Sequence, residues 1–310
     1  MRALLQTPSI KPPPPPEVLD HYHRIYPRHY LRLPTPVMSS RRLKSVLLQG
    51  LPILEQLVAE ELLLRTTRDN FLLVNRGMPS PAIVLGFSGK IKELVNVELV
   101  ARDGIQLIRR YTGGGTVICD ENTLFVTFIM NTADADTKPY PRDIMDWSGG
   151  IYRNVFARHQ VSDFDVREND YVFGNAKFGG NAQTITKDRW VHHTSFLYDY
   201  DRNLMDYLNM PKKQPTYRSN REHSSFLTKM KQYVPSVDSF VKELESEMSK
   251  SYILESISQS DLLSTLNSIK LERRDLASLI RTKEESVQEF LQSPPTPPSL
   301  VRFGPSCVNI

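Results

Sequence analysis

Short runs of strand length, rich in β-branched and aromatic residues, alternate along this chain with segments of helical period. That alternation restricts it to folds that combine both element types. Leu54, Leu57, Val58 and Leu62 recur at helical spacing while Glu55, Glu60 and Glu61 fall off that stripe, which predicts an amphipathic helix over 51–66. Residues 71–75 and 82–87 follow as strands, parted by the turn-forming Gly77-Met-Pro-Ser-Pro81. Residues 123–130 are a further strand, dense in apolar and β-branched side chains. Residues 142–159 read as a helix weakened by Gly149-Gly150, residues 190–198 as a strand, and 237–250 and 261–291 as helices. Short loops between neighbouring strands imply a partly antiparallel sheet. The expected class is therefore α/β in the broad sense, an α+β arrangement on a mixed sheet.

The chain has 310 residues, enough for a core of ordinary size, with 40% apolar and 24% charged side chains as in most globular domains. No apolar run approaches the ~20 residues that span a bilayer, so no membrane role is expected. The formal net charge is +4, yet residues 1–43 alone carry +5, which leaves −1 for the rest. A nucleic-acid partner would draw positive charge onto the folded surface, so none is expected. Residues 1–43 are Pro-rich, with Pro12 through Pro16 in a row, and are expected to be extended or disordered. Their arginines, ending in Ser39-Ser40-Arg41-Arg42, fit a cleaved mitochondrial or other organellar targeting peptide. The prolines fit a plain extension of a cytoplasmic protein, and both readings stand. A second Pro-rich tail is expected over 294–310. Cys119 and Cys307 form no CxxC and the seven histidines form no HExxH, so neither a disulfide framework nor a protein-ligated metal is expected.

Three stretches carry chemistry. Arg109-Arg110-Tyr111-Thr112-Gly113-Gly114-Gly115-Thr116-Val117-Ile118 sets three glycines between strand-like runs. Backbone N–H groups there can turn toward an anion, beside arginines with forked donors. Alone it reads equally as a flexible hairpin, and it is neither a GxxxxGKS/T loop nor a GxGxxG opening a helix. The second stretch holds Lys177 among Gly174, Gly179 and Gly180, where an ammonium can meet a charged ligand, although most lysines are solvated surface residues. The third is His192-His193-Thr194-Ser195-Phe196-Leu197, and a strand histidine is more often structural than catalytic.

In order and spacing these stretches resemble the lipoate–protein ligase A family, part of the wider biotin/lipoate ligase and octanoyltransferase superfamily. The family pattern RRxSGGGxVxHDxGN, RND, KxxGxA and HHGTLL is matched by Arg109 to Asn122, Arg167-Glu168-Asn169-Asp170, Lys177 to Ala182, and His192 to Leu197. The likeness covers roughly 44–258 and continues through 201–208 and Tyr217-Arg218-Ser219. Departures are Thr112 for serine, Cys119 for histidine, a shortened HDxGN, HHTSFL for HHGTLL, and one residue gained within RND. They surround the family's acyl-adenylate pocket and bear on acyl-chain preference.

The resemblance implies the catalytic fold shared by class II aminoacyl-tRNA synthetases and biotin synthetases over 44–258, followed by a helical segment over 259–293. It implies a monomer that attaches lipoate or octanoate to lysines of lipoyl domains in 2-oxoacid dehydrogenase complexes and of the glycine cleavage H protein. ATP with Mg²⁺ would give an acyl-AMP intermediate. Lys177 would be the catalytic residue, stabilising charge on acyl and phosphate oxygens. Arg110, Thr112, Gly113, Gly114, Gly115, Thr116, Val117 and Ile118 would bind ATP and the acyl-adenylate, and Asn169, Asp170, Gly180 and His193 would contact substrate. Apolar strand residues would line an acyl tunnel. The small C-terminal accessory domain of bacterial members is expected to be missing, so that activation is slow or needs an accessory protein. Two alternatives are an octanoyltransferase taking its acyl group from a carrier and a non-catalytic acyl- or nucleotide-binding relative.

Overall fold

A computed structural model of the chain describes residues 41–211, 214–272 and 280–288. In chain order the strands are β1 (Arg42–Gln49), β2 (Asn70–Arg76), β3 (Ala82–Leu85), β4 (Gln106–Arg109), β5 (Val117–Cys119), β6 (Thr123–Asn131), β7 (Phe164–Arg167), β8 (Asp170–Phe173), β9 (Ala176–Ile185), β10 (Arg189–Leu197), β11 (Ile253–Ser256) and β12 (Lys283–Glu284). The longer helices are α1 (Ile53–Thr66), α2 (Pro141–Arg158), α3 (Val237–Met248) and α4 (Gln259–Glu272). Eight strands form one mixed sheet in the order β11-β1-β2-β6-β10-β9-β8-β7, and four form a second in the order β12-β4-β3-β5. In the larger sheet β11, β1 and β2 run parallel and the remaining neighbours antiparallel. The expected α/β class with a mixed sheet is what the chain adopts.

Strand β6 shows why its sequence is almost continuously apolar: both faces are covered. Leu124, Val126, Phe128 and Met130 point into a cluster with Ile144, Met145 and Tyr152 of α2 and Phe240 and Leu244 of α3. Phe125 packs on the other face with Ile53 and Leu57 of α1, and Ile129 with Ala59 and Leu62 of the same helix. Helix α2 runs unbroken through Gly149-Gly150. A side chain at Gly149 would bring its Cβ within 2.6 Å of Val166 on β7, so the glycine lets helix and strand approach closely.

Three expectations are corrected. Glu60 and Glu61, read as lying off the buried stripe, are both fully buried. Helix α1 has no solvent side there, because Glu60 meets the large sheet and Glu61 meets the C-terminal segment. Residues 280–286, expected within a helix over 261–291, are not helical. Glu61 accepts the N–H groups of Arg281 and Thr282 and the Thr282 hydroxyl, and the next two residues pair as β12 with β4. Arg42 and Leu43, read as tail, belong to β1, and Arg41 and Arg42 pair with Asp136 and Glu255. The readings for residues 1–40 and 294–310 lie outside the described residues.

Candidate functional site

Lys177 gets its direction from an irregularity in β9. Val172 pairs with Lys177 but Tyr171 with Gly179, so Phe178 is an extra residue and enters the aromatic cluster beneath α2. Lys177, Gly180 and Ala182 then share the opposite face. Register carries this face onto Ser195 and His193 of β10, which sit across from Gly180 and Ala182, and onto Phe125 and Thr127 of β6. The Lys177 ammonium rests over Gly180, where a Cβ would come within 3.4 Å of it, and pairs with Asp170 on β8 at 2.7 Å. Asp170 also accepts the Tyr217 hydroxyl at 2.8 Å.

The glycine loop between β4 and β5 approaches the same patch. Gly114 has φ +105°, and a Cβ there would lie 3.3 Å from the Cβ of Ala182 and 3.3 Å from the Asn181 carbonyl oxygen. Loop and lysine thus border one stretch of β9, from Gly180 to Ala182. Among the described residues, no hydrogen bond is donated by the N–H groups of Gly113, Gly114, Gly115 or Thr116. Four such donors in one exposed glycine loop are available to an anion.

Arg110, expected to bind phosphate, points inward. It is buried, and Nε donates to the Thr112 hydroxyl at 2.8 Å and Nη1 to the Val84 carbonyl at 3.3 Å. Nη2 donates to the carbonyls of Gly113 and Gly115 at 3.0 and 2.8 Å. Burial pulls its pKa down to about 10. The side chain braces the loop by its carbonyls and leaves its N–H groups without protein partners. Thr112 is spent on the same brace. Val117 and Ile118 are β5 residues paired with β3. Arg109 bonds to Glu285 and to the carbonyls of Gly86, Phe87 and Gly89.

Asn169 lies in the β7–β8 turn, and its carbonyl accepts from Asn181 at 2.7 Å. His193 is buried, with Nδ1 2.9 Å from Glu60, a carboxylate that also accepts from Thr127 (2.7 Å) and Gln56 (2.9 Å). Gln56 in turn accepts from Asn75 at 2.8 Å. This face therefore sets His193, Thr127 and Asn75 in a hydrogen-bonded chain with α1, because a buried Glu60 requires partners. His192, on the other face, contacts the Tyr171 hydroxyl and Gln183, and burial with His193 alongside holds it neutral at about 3. Cys119 is buried among Ile53, Leu57 and Phe125, and burial pushes its thiol well up. Sequence reading named Glu60 only as a residue off the α1 stripe and Tyr217 only within the family likeness, and gave neither a role in the site. It noted the extra residue of the RND motif, Glu168, without a role. Among the described residues no group of three His, Cys, Asp or Glu side chains could hold a metal ion.

The family described as "Lipoyl protein ligase A/B catalytic domain" matches residues 52–253, more than half of the chain. "Inactive lipoate–protein ligase 2" of Plasmodium falciparum is 32% identical over 181 residues, 48% of this chain and 47% of that protein. The chain spans about half the length of the curated relatives it matches. Ta0514 of T. acidophilum, solved with bound lipoic acid, superposes with a TM-score of 0.60 at 18% identity, over 76% of this chain and 95% of that one. A lipoate–protein ligase A solved with ATP gives a TM-score of 0.60 at 19% identity, over 76% and 94%. At these identities the two structures establish the fold.

Proposed function

Because the chain belongs to the lipoyl protein ligase A/B catalytic-domain family, we propose that it joins lipoate or octanoate to a lysine of a lipoyl-carrier domain through an acyl-adenylate. One observation carries this reading. The Lys177 ammonium, over Gly180, and Gly114, against Asn181 and Ala182, border one stretch of β9, and the N–H groups of the loop that carries Gly114 are unengaged. Solved relatives with lipoic acid and with ATP support both as substrates.

In the first step a carboxylate oxygen of the acid attacks the α-phosphorus of ATP, the bond to the bridging oxygen breaks and pyrophosphate leaves. In the second the carrier amine attacks the anhydride carbonyl, AMP leaves and the amine gives up a proton. The N–H groups of residues 113–116 and the Lys177 ammonium hold the acyl and phosphate oxygens as charge develops on them. Positioned donors of this kind contribute about 3 kcal/mol each. Mg²⁺ would arrive on the nucleotide's phosphates and offset their charge. Lys177 exchanges Asp170 for the ligand as it engages. The partners in this reading are lipoyl domains of 2-oxoacid dehydrogenase complexes and the glycine cleavage H protein.

The test incubates the protein with ATP, either acid and an apo-lipoyl domain, and weighs the carrier. A mass gain of one acyl group is expected. No gain from ATP with either acid, nor from synthetic lipoyl-AMP, would leave a non-catalytic binding relative, the second reading, which the inactive Plasmodium relative favours. Octanoyl transfer through Cys119 is opposed by the burial of its thiol.

A further inference from the structure

Glu168, the residue gained within the RND motif, stands at the tip of the β7–β8 hairpin with φ +52°. Its Oε1 accepts from the backbone N–H of Thr216 at 2.6 Å and of Tyr217 at 3.4 Å. Asp170, on the same hairpin, divides its carboxylate. Oδ1 pairs with Lys177 Nζ, and Oδ2 accepts the Tyr217 hydroxyl. Farther along, Arg221 donates to the Asn175 carbonyl at 2.9 Å, and the N–H of Thr228 donates to the carbonyl of Lys177 itself at 2.9 Å. Between these ties Phe226 is buried and packs on the ring of Tyr217, with Arg218 and Arg221 over its face. Residues 216–228 therefore form a strap that borders both the backbone and the side chain of Lys177.

We propose that Tyr217 and Glu168 are positioning residues for Lys177: Glu168 fixes the backbone of Tyr217, whose hydroxyl orients the Asp170 carboxylate that holds the ammonium beside Gly180. The catalytic meaning of that position rests on the acyl-adenylate reading of Lys177. A carboxyl's terminal torsion is broad and a lysine stem is flexible, so an ion pair alone does not fix where an ammonium sits. A second donor on the other oxygen removes the carboxylate's freedom. Burial, with Asp170 adding, raises the Tyr217 pKa, so the phenol stays a donor. When Lys177 turns to an arriving anion, Tyr217 remains on Asp170 and the carboxylate is not stranded. Glu168 reaches Lys177 only through two other residues. The sequence shows it merely as a lengthened turn.

The test reads Lys177 directly. The full-length protein is treated briefly with limiting acetic anhydride, and mass spectrometry compares acetylation of Lys177 with that of Lys44 and Lys231 in the same sample. Asp170→Asn sets the rate for a released lysine. Tyr217→Phe and Glu168→Ala are expected to raise the Lys177 rate by about tenfold, the equivalent of a ~1.4 kcal/mol weaker hold on the ammonium. The two reference lysines should not move, and Glu168→Gln, which keeps an acceptor oxygen, should restore most of the protection. Lys177 reacting at the wild-type rate in Tyr217→Phe overturns the proposal. So does an equal rise at all three lysines, which reports a loosened fold. Acyl transfer measured on the same proteins separates the two readings: a wild-type protein that transfers nothing defeats the function, while the labelling still decides the role of Tyr217.

Discussion

Replacing Gly114 by alanine tests the loop geometry at one atom. The residue has φ +105°, and its added Cβ would lie 2.9 Å from Arg110 Nη2 and 3.3 Å from both the Ala182 Cβ and the Asn181 carbonyl oxygen. A non-glycine residue held at such a dihedral costs about 1–3 kcal/mol. Relief means moving the guanidinium that holds the Gly113 and Gly115 carbonyls, so the brace and the backbone strain oppose each other. We expect a loss of about 2 kcal/mol in urea denaturation, or roughly 4–8 °C in Tm for a domain of this size. Affinity for a non-hydrolysable acyl-adenylate analogue, measured by calorimetry, should fall by about tenfold or more as the N–H groups lose their common aim, a difference of ~1.4 kcal/mol. The neighbours supply the control. Gly113 and Gly115 have open space at the Cβ position and no positive φ, so alanine there should leave stability within about 0.5 kcal/mol. Equal stability losses at all three glycines would refute the argument, since it depends on Gly114 alone being closed to a side chain.

Lys177→Ala should lower acyl transfer at least ~100-fold with an unchanged urea midpoint, because Asp170 keeps Tyr217 as a partner; transfer at the wild-type rate would end the assignment. Cys119→Ala should keep most activity and cost only about 1 kcal/mol of packing. A hydroxylamine-sensitive acyl adduct on Cys119, lost together with activity in the mutant, would establish the thioester route instead. Glu61→Leu strips the acceptor shared by Arg65, Arg281 and Thr282. It should cost about 3 kcal/mol and speed amide exchange at Arg281 and Thr282, and unaltered exchange there would show that the segment is held by other means. Burial pushes the Asp199 carboxyl up, but Lys229 and Lys231 outweigh it and hold it at about 2. A depressed carboxyl adds stability that is present above pH ~4 and is lost as pH falls toward 2. Asp199→Asn should shrink that acid loss, by well under ~1 kcal/mol for so solvated a group, and an unchanged stability profile between pH 4 and 2 would count against the pairing.

How far the sequence could be read depended on whether an element's surroundings were local. Strand β6 announces itself because both faces are apolar, and α2 keeps a helical period through its two glycines. The family motifs group Lys177 with the glycine loop, and in the fold Lys177 lies over Gly180 and Gly114 against Ala182 on β9. Strand β9 itself was hidden, since Gly179, Gly180 and Asn181 are poor strand formers and only its partners on both sides make it a strand. Periodicity assumes one buried face per helix, and Glu60 and Glu61 break that assumption because α1 is covered from two directions. A motif also records residue types without their aim. Arg110 looks like a phosphate ligand in sequence, and only the nearby carbonyls of Val84, Gly113 and Gly115 show it turned inward. The helix expected over 261–291 failed at 280–286 for a similar reason: the conformation there is set by Glu61, about 220 positions earlier.

The pairing of β12 with β4 has a consequence for how the protein must be made. Glu285 reaches Arg109 across 176 positions, and β1, at the start of the described chain, waits for β11 on its open side. A ribosome adding about 5–20 residues per second delivers β4 many seconds before β12, whereas the hairpins joining β7, β8, β9 and β10 can form as they emerge. During that interval both sheets offer unpaired strand edges, the feature through which nascent chains most readily associate. The strand beside the double arginine is therefore also a late closure. Synthesis stalled or cut short after residue 272 supplies β11 but not β12, and should give chains that fold their centre and aggregate through the open edge of β4. Supplying residues 280–288 as a separate peptide should reduce that aggregation more than a scrambled peptide of the same composition.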